Sequence, residues 1–147
     1  MALVLSEAAA SQFVPTRPFR VNAGPVHSYI LMADETTKYL CELDASDQVM
    51  VYNSKTGTSR GIAVGRLKQE IRPCVLLELS HGATGLKGQV FLQQAETVRI
   101  GQKDAEFIRV TDLEAQAESK NAQPALLRVT SSGTHVGKVY TGKVEER

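Results

Sequence analysis

Short apolar runs separated by clusters of turn-forming residues extend over most of this 147-residue sequence. Val49–Tyr52 ends in the turn cluster Asn53–Gly57. Cys74–Leu79 is followed by the glycine-rich turn His81–Gly88 and by a returning arm at Gln89–Gln93. Short runs of this kind, bounded by turn signals, are typical of strands. We therefore expect a mainly β fold that includes a hairpin across the glycine-rich turn.

Further strands and few helices are predicted along the rest of the chain. Gly61–Lys68 alternates apolar with small or polar residues, as a half-buried strand does, and Val98–Ile100 and Phe107–Val110 read as short strands. Ser6–Gln12 could form two helical turns, and Leu113–Lys120 contains helix formers but a single apolar anchor. Segments this short are marginal as helices without packing, so a surface loop or a single turn is equally compatible with the pattern at Leu113–Lys120.

A weak internal repeat suggests how the strands are organised. Gly57–Gly61 is echoed by Gly133–Gly137, and Tyr39–Leu43 is echoed by Val110–Leu113. The second copy is longer, and its excess residues fall in the polar stretch Ala115–Gln123, where a fold tolerates insertions best. We predict two related strand-turn-strand repeats that form small antiparallel β-barrel-like units with few short helices.

The composition indicates one ordinary globular domain. A chain of 147 residues with 42% hydrophobic and 22% charged residues can build a single core, with possible sub-units at 18–100 and 101–147. The absence of Trp predicts an aliphatic core. The net charge of +1 gives no basis for nucleic-acid binding. No apolar run approaches the ~20 residues that span a bilayer.

The two cysteines carry no motif. Cys41 and Cys74 lie outside any CxxC or His-Cys pattern. Free cysteines are among the most frequently buried residues and persist in reducing compartments. We expect two buried thiols in a chain located in the cytoplasm or in the interior of an organelle.

The most specific segment of the chain is Pro18–Tyr29, which reads PFRVNAGPVHSY. Its prolines stiffen the backbone, and Gly24 allows a close backbone approach. Arg20 offers a planar fork for a carboxylate or phosphate, Asn22 can donate and accept, and His27 can act as a general acid or base. The same side chains could instead have structural roles, with Arg20 bonded to carbonyls, Asn22 closing a turn and His27 satisfied within the fold.

The remaining histidines and glycines give weaker signals. His81 is expected to be a solvated loop residue. His27 and His135, with one of Glu7, Glu96 or Glu145, are weak candidates for a metal site, so no metal is assigned. The glycines of 82–88 do not open a helix after a strand, so they predict a hairpin connection and not a phosphate-binding loop.

Five segments, in order along the chain, resemble the archaeal-type 3-dehydroquinate synthase family, also called dehydroquinate synthase II. Pro18–Tyr29 resembles its PFRVNAGPVHAY motif, and Lys38–Leu43 is similar to its TRYLSEL segment. Val64–Pro73 is similar to VGRVKIERRP, and Gln93–Val98 to QNAETV. His135–Gly137, followed by Glu145, resembles its HFG and terminal glutamates.

The resemblance implies an activity and a set of site residues. Members of the family cyclise an amino-deoxy-heptulosonate by NAD-dependent oxidative deamination, which gives 3-dehydroquinate for aromatic amino acid biosynthesis. Arg20, Asn22 and Glu96 are the ligand-binding candidates, and His27 is the catalytic candidate. NAD is implied by the family alone.

This chain resembles only the C-terminal part of family members, which are more than twice as long. It also departs from the motifs at Leu5, Ser46, Gln94 and Val136, where the family has His, Gly, Asn and Phe. Two hypotheses follow. The chain is either part of a synthase that needs another protein chain for catalysis, or a non-catalytic adaptor subunit of a larger assembly. Independent catalysis is not expected in either case.

Overall fold

The computed structural model describes residues 1–7, 20–117 and 124–125, together with the backbone of two later strands at 133–135 and 138–140. In chain order the strands are β1 (Tyr29–Leu31), β2 (Thr37–Tyr39), β3 (Gln48–Asn53), β4 (Thr58–Ala63), β5 (Cys74–Ser80), β6 (Lys87–Gln93), β7 (Arg99–Gly101), β8 (Phe107–Arg109), β9 (Gly133–His135) and β10 (Lys138–Tyr140). Short 3-10 turns occupy Leu40–Glu42, Lys103–Ala105 and Val110–Asp112, and helix α1 covers Leu113–Ala117.

Each strand pairs with its neighbour in sequence. Among the described residues the pairs β1–β2, β3–β4, β5–β6, β7–β8 and β9–β10 are antiparallel and form five two-stranded sheets. Antiparallel neighbours need only a short turn between them, which the clusters Asn53–Gly57 and His81–Leu86 supply for β3–β4 and β5–β6. The mainly β prediction is confirmed at this level, and the barrel-like arrangement of the strands stays a prediction.

The hairpin predicted across the glycine-rich turn is confirmed. β5 and β6 pair over their full length, from Cys74 opposite Gln93 to Ser80 opposite Lys87. In the turn, the N–H groups of His81 and Gly85 donate to the carbonyls of Leu86 and His81, each over 2.8 Å. Gly85 has a φ of +69°, a conformation that favours glycine.

The strand predicted at Gly61–Lys68 was wrong in its bounds. β4 covers Thr58–Ala63 and pairs with β3. Beyond the Val64 N–H, which donates to the Asp47 carbonyl over 2.8 Å, residues 65–73 form no strand and are exposed. The sequence does alternate, but its polar positions are charged. Its small residues are not buried, so burial does not favour the pairing of this segment with another strand.

The helix predictions have different outcomes. Leu113–Ala117 forms the short helix α1, which agrees with the helical-turn alternative for Leu113–Lys120 and not with the surface-loop alternative. The predicted helix at Ser6–Gln12 lies outside the described residues beyond Glu7.

The chain divides into two compact units. The first consists of Met1–Pro25 with Ile71–Arg128, and the second of Val26–Glu70 with Val129–Arg147. The single domain of 1–147 with sub-units at 18–100 and 101–147 stays a prediction.

The first unit is built around an aliphatic core. Five side chains that are 0–6% exposed form it, contributed by β6, β7, β8 and the residues beside them: Leu92, Val98, Ile100, Ile108 and Val110. Half-buried aliphatic residues from β5, β6 and α1 pack around this cluster. Complete burial of such a side chain contributes about 1.5–3 kcal/mol. The predicted aliphatic core is therefore confirmed in this unit.

The second unit has a smaller buried set. Met32, Thr37 and Leu43 are 6%, 0% and 6% exposed. Met32 forms an antiparallel bridge with Val49, and the Ala33 N–H donates to the Gln48 carbonyl over 2.8 Å. These contacts join the β1–β2 hairpin to the β3–β4 hairpin.

The two units contain the same hairpin, which supports one half of the predicted repeat. In β1–β2, Tyr29 faces Tyr39 and Leu31 faces Thr37, and in β7–β8 Arg99 faces Arg109 and Gly101 faces Phe107. An equivalent main-chain bond closes both turns, from the Met32 N–H to Thr36 O at 2.9 Å and from the Gln102 N–H to Glu106 O at 2.8 Å. Both hairpins lead directly into a 3-10 turn.

The other half of the predicted repeat does not match. Gly57–Gly61 forms a turn and the first half of β4, whereas Gly133–His135 is already strand β9. The shared glycines marked different parts of the two hairpins.

The prediction of buried thiols was wrong. Cys41 and Cys74 are both free and exposed. Cys41 lies in a 3-10 turn, and Cys74 is on the outward face of β5, so neither position points into a core.

In the described part of the chain, no helix is long and apolar enough to cross a membrane.

Candidate functional site

The N-terminal segment lies against β7 in the first unit. The Leu5 N–H donates to the Arg99 carbonyl over 2.9 Å, and the Gly101 N–H donates to the Leu3 carbonyl over 2.8 Å. The segment then reaches Glu7, whose N–H donates to the Arg20 carbonyl over 2.7 Å. Main-chain bonds therefore fix the backbone from which the Arg20 side chain extends.

The loop that follows Arg20 is held by one side-chain bond. Asn22 is half-buried, and its Nδ2 donates to Oε1 of Gln93 at the end of β6 over 2.5 Å. Two residues later Gly24 has a φ of +116°, which L side chains rarely adopt. The glycine lets the chain turn immediately after the residue that is tied to β6.

The turn after β6 brings the third predicted segment to the same place. The Gln94 N–H donates to the Pro73 carbonyl over 3.0 Å, and the Ala95 N–H donates to the Gln93 carbonyl over 2.9 Å. Glu96 is half-buried in this turn, which ends where the Val98 N–H donates to the Ala95 carbonyl over 3.1 Å. The first unit thus joins segments at 1–7, 20–25, 73 and 93–98, which are far apart in sequence.

This arrangement offers groups suited to an oxygen-rich anion. Arg20 supplies a guanidinium fork, and Asn22 retains its Oδ1 and a second N–H beside the bond to Gln93. Glu96 supplies a carboxylate that can accept from a hydroxyl or an amine. Arg20, Asn22 and Glu96, the predicted ligand-binding residues, all belong to this unit.

His27, the predicted catalytic residue, belongs to the other unit. The division of the chain falls between Pro25 and Val26, inside the segment Pro18–Tyr29 that the sequence predicts as one binding loop. His27 is exposed between two main-chain bonds, from the Cys41 N–H to Val26 O and from the Leu40 N–H to Ser28 O, each 2.9 Å long. Its catalytic role stays a prediction.

The second unit contains an ion pair between Lys38 and Asp47. Nζ of Lys38 donates to both carboxylate oxygens of Asp47, over 2.9 and 2.8 Å, and the Asp44 N–H donates to Asp47 Oδ2 over 2.8 Å. The Asp44 N–H and the Lys38 ammonium lower the pKa of Asp47 from its usual value of 3.8. The bond to Asp47 raises the pKa of Lys38 from 10.5.

The other predicted histidines do not contribute a described site. His81 is exposed in the β5–β6 turn, as expected, with its Nδ1 bonded to the Thr84 hydroxyl at 2.7 Å. The side chain of His135, and Glu145, lie outside the described residues. Where side chains are described, no three His, Cys, Asp or Glu residues lie close enough together to hold a metal ion.

Gln93 was not among the predicted site residues. Its place in a strand pattern gives no signal of a contact with Asn22, and the bond between the two side chains shows that Gln93 fixes the candidate loop. A shallow depression of about 280 Å³ also lies in this unit, lined by Phe107, Ile108, Arg109 and Asp112. None of these four residues was a predicted site residue.

Comparison with known proteins places the whole chain in one family. Residues 1–147 match the family model of the 3-dehydroquinate synthase II C-terminal domain. No solved structure matches the chain. The segments that meet in the first unit are therefore equivalent to parts of a C-terminal domain.

Similar proteins come from archaea and bacteria. The chain is 40% identical over 147 residues to a 3-dehydroquinate synthase of Methanococcus maripaludis, covering 100% of this chain and 38% of that protein. It is 48% identical over 148 residues to the 3-dehydroquinate synthase of Methanocaldococcus jannaschii, covering 99% of this chain and 38% of that protein. A 3-dehydroquinate synthase homolog of Aquifex aeolicus is 43% identical over 146 residues, with 99% and 40% covered.

The chain spans about two fifths of the length of these relatives. The family model covers every residue of this chain. The chain therefore belongs to the 3-dehydroquinate synthase II family and matches its C-terminal domain.

Proposed function

We propose that this domain binds the substrate of a 3-dehydroquinate synthase II-type reaction and does not catalyse the reaction by itself. The observation that carries the proposal is the bond from Asn22 to Gln93, which ties the 20–25 loop to the turn containing Glu96. A binding pocket requires polar groups that converge from several elements. Here two of the family's motif segments are joined by their own side chains.

Arg20 is the anchor for the substrate's carboxylate. A guanidinium can form two parallel hydrogen bonds to a carboxylate, which fixes orientation as well as charge. Glu7 holds the Arg20 backbone through a 2.7 Å bond, so the side chain starts from a fixed point. Asn22 and Glu96 then recognise hydroxyl or amino groups of the same ligand.

His27 is proposed to move protons during the reaction. An imidazole can act as a general acid or base at physiological pH. It is exposed and stands between two main-chain bonds that hold its backbone.

The remaining catalytic groups are proposed to come from the N-terminal part of a family protein. About three fifths of each relative's length lies outside the matched region, and each relative is named as a 3-dehydroquinate synthase. That part would be supplied on the same polypeptide or by another protein chain. The proposed substrate site and the reaction depend on it.

The described residues do not fit the dinucleotide-binding arrangement that NAD commonly uses. That arrangement places the pyrophosphate at a helix N-terminus after a parallel strand. The strand pairs described here are antiparallel, and the described helix, α1, has five residues. No step of the proposed function is therefore assigned to NAD contacts in this domain.

A non-catalytic adaptor role is the second candidate, and Leu5 favours it. Leu5 stands where the family motif has His, and its side chain packs against β7, since a Cβ added to Gly101 would lie 3.2 Å from Leu5 Cδ1. An apolar packing residue here replaces a polar group near the candidate site. In this role the domain would join a larger assembly without binding substrate.

The test uses a chimera in which this chain replaces the C-terminal domain of the Methanocaldococcus jannaschii protein. Calorimetry measures the affinity for 3-dehydroquinate, the carboxylate product. We expect Arg20→Ala to weaken binding about 10- to 100-fold, since a hydrogen bond to a charged group is worth about 1.5–3 kcal/mol. Arg60→Ala, at an exposed arginine of β4, is the matched control and should leave affinity unchanged. Equal affinity of the Arg20→Ala and unaltered chimeras would favour the adaptor role.

A further inference from the structure

The β5–β6 hairpin has two faces of different character. Its inner face carries Val75, Leu77, Val90 and Leu92, which belong to the core of the first unit or pack against it. Its outer face carries the alternate residues, because successive side chains of a strand point to opposite sides of the sheet. From one end to the other, the outer cross-strand pairs are Cys74–Gln93, Leu76–Phe91, Glu78–Gln89 and Ser80–Lys87.

The centre of the outer face is apolar and exposed. Leu76 is 44% exposed and Phe91 is 41% exposed, although the two are directly paired. Glu78 and Gln89 follow them and bond to each other over 3.3 Å, which makes a polar margin. An apolar centre with an aromatic residue and a polar margin is typical of a protein interface.

The apolar pair is continuous with the candidate site. Gln93, which accepts the Asn22 bond, lies one cross-strand pair away from Leu76–Phe91 on the same face. A protein surface that covers Leu76 and Phe91 therefore also lies beside Asn22. It would reduce the access of water to the ligand-binding loop, which strengthens the polar contacts there.

We propose that the outer face of the β5–β6 hairpin, centred on Leu76 and Phe91, docks the N-terminal part of a 3-dehydroquinate synthase II protein. The choice of this occupant rests on the proposed function and on the relatives. The matched domain makes up only 38% of the length of those relatives. Docking here covers the exposed Leu76–Phe91 pair and brings the N-terminal part's groups to Asn22 and Glu96. The occupant presents an apolar surface to this pair.

A native thiol reports on the proposed contact. Cys74 is exposed and lies on the outer face next to Leu76, whereas Cys41 is exposed in the second unit and serves as the reference. Alkylation of a thiol requires access of the reagent. In the Methanocaldococcus jannaschii chimera we expect Cys74 to react at least about tenfold more slowly, relative to Cys41, than in the 147-residue chain. Equal relative rates would overturn the proposal.

Two substitutions make the contact specific. Leu76→Asp places a charge at the centre of the interface and should return Cys74 labelling in the chimera to within about twofold of the isolated chain. Val51→Asp is the control, since Val51 is a similarly exposed strand residue at 38% but lies in β3 of the other unit. It should leave Cys74 protected. If both variants, or neither, expose Cys74, the assigned face is wrong.

The alternative occupant is a second copy of this chain. If the isolated chain protects Cys74 as its concentration rises, and sedimentation shows a dimer that Leu76→Asp dissociates, the proposed occupant is wrong. If the chimera is insoluble, the same labelling is measured with the separate N-terminal part added in excess to the chain.

The docking proposal and the proposed function fail in different ways. Protection of Cys74 with no effect of Arg20→Ala on 3-dehydroquinate binding contradicts the function alone. Loss of affinity on Arg20→Ala with Cys74 fully reactive contradicts the docking face alone.

Discussion

A single backbone angle shows why glycine would suit one position at which this chain departs from its family's motif. Ser46 stands where the motif has Gly, and its φ of +80° lies in the left-handed region. Such a conformation costs roughly 1–2 kcal/mol for a residue with a Cβ. The position is held nonetheless, because the Ser46 N–H donates to the Val64 carbonyl over 2.7 Å and Asp47 beside it binds Lys38.

Ser46→Gly is therefore expected to stabilise the chain by about 0.5–1 kcal/mol, the relief of backbone strain less the greater entropy that glycine has when unfolded. The measurement is the urea midpoint at pH 7. Ser59→Gly in β4 is the matched control, and it should destabilise, because Ser59 has no positive φ to relieve. A lower midpoint for Ser46→Gly would contradict the argument.

The Lys38–Asp47 pair makes stability depend on pH at both extremes. The folded pKa of Asp47 lies below 3.8, so its contribution is complete above that value and is lost as pH falls through the folded pKa. The folded pKa of Lys38 lies above 10.5, so its contribution is complete below that value and is lost as pH rises through the folded pKa. The contribution of this pair to the free energy of unfolding is therefore constant between about pH 4 and about pH 10.

Asp47→Asn should lower the urea midpoint at pH 7, and the difference from the unaltered chain should shrink as pH falls below 3.8. Midpoints measured at intervals from pH 2 to pH 7 test this. Asp104→Asn, at an exposed carboxylate of the other unit, is the control and should follow the unaltered chain throughout. A constant difference between Asp47→Asn and the unaltered chain at all pH values would show that the pair's charge is not responsible.

At the scale of elements, the same hairpin geometry occurs in both units. β1–β2 and β7–β8 share their register, their turn closure and the 3-10 turn that follows. The sequence similarity that indicated this was confined to Tyr39–Leu43 and Val110–Leu113, since the strand residues themselves differ. Main-chain hydrogen bonds give the two hairpins the same backbone shape. Their side chains differ, because different positions are buried in each unit.

The contact between the β1–β2 turn and β4 leaves no room for a larger residue. A Cβ added to Gly61 would lie 2.9 Å from Ala33 Cβ, which is fixed to the backbone and cannot rotate away. We expect Gly61→Ala to destabilise by about 1–3 kcal/mol through overpacking. Gly65→Ala is the control, because nothing lies within 4 Å of its added Cβ.

The double variant Gly61→Ala with Ala33→Gly tests the cause. Removing the Ala33 methyl should recover part of the lost stability, which a double-mutant cycle in urea measures as a coupling between the two positions. Purely additive effects would assign the cost to β4 alone. Both residues lie in the second unit, so the cycle reports on that unit.

At the scale of the whole molecule, the chain matches the C-terminal domain of its family over residues 1–147. It spans 38% of the Methanocaldococcus jannaschii relative. We expect the 147-residue chain alone to form no 3-dehydroquinate, and the chimera with the N-terminal part to form it. Product formation measured by chromatography decides, and turnover by the chain alone would contradict the proposed function. The unaltered relative serves as the positive control.

Much of the local structure followed from the sequence. The β5–β6 hairpin and the aliphatic core were predicted, and a helical turn at α1 was one of two alternatives, because turn residues and apolar spacing act over a few residues. The end of β4 at Ala63 and the exposure of Cys41 and Cys74 were not. Each depends on what lies beside the segment in space, which a local pattern does not contain.

The candidate site shows the same division. The sequence alone determined the family, the strand-rich fold and the residues Arg20, Asn22, Glu96 and His27 as candidates. Only the tertiary structure joined Asn22 to Gln93 and assigned His27 to a different unit from Arg20. Residue types set which chemistry a chain can perform, whereas contacts between segments 71 residues apart depend on how the whole chain packs.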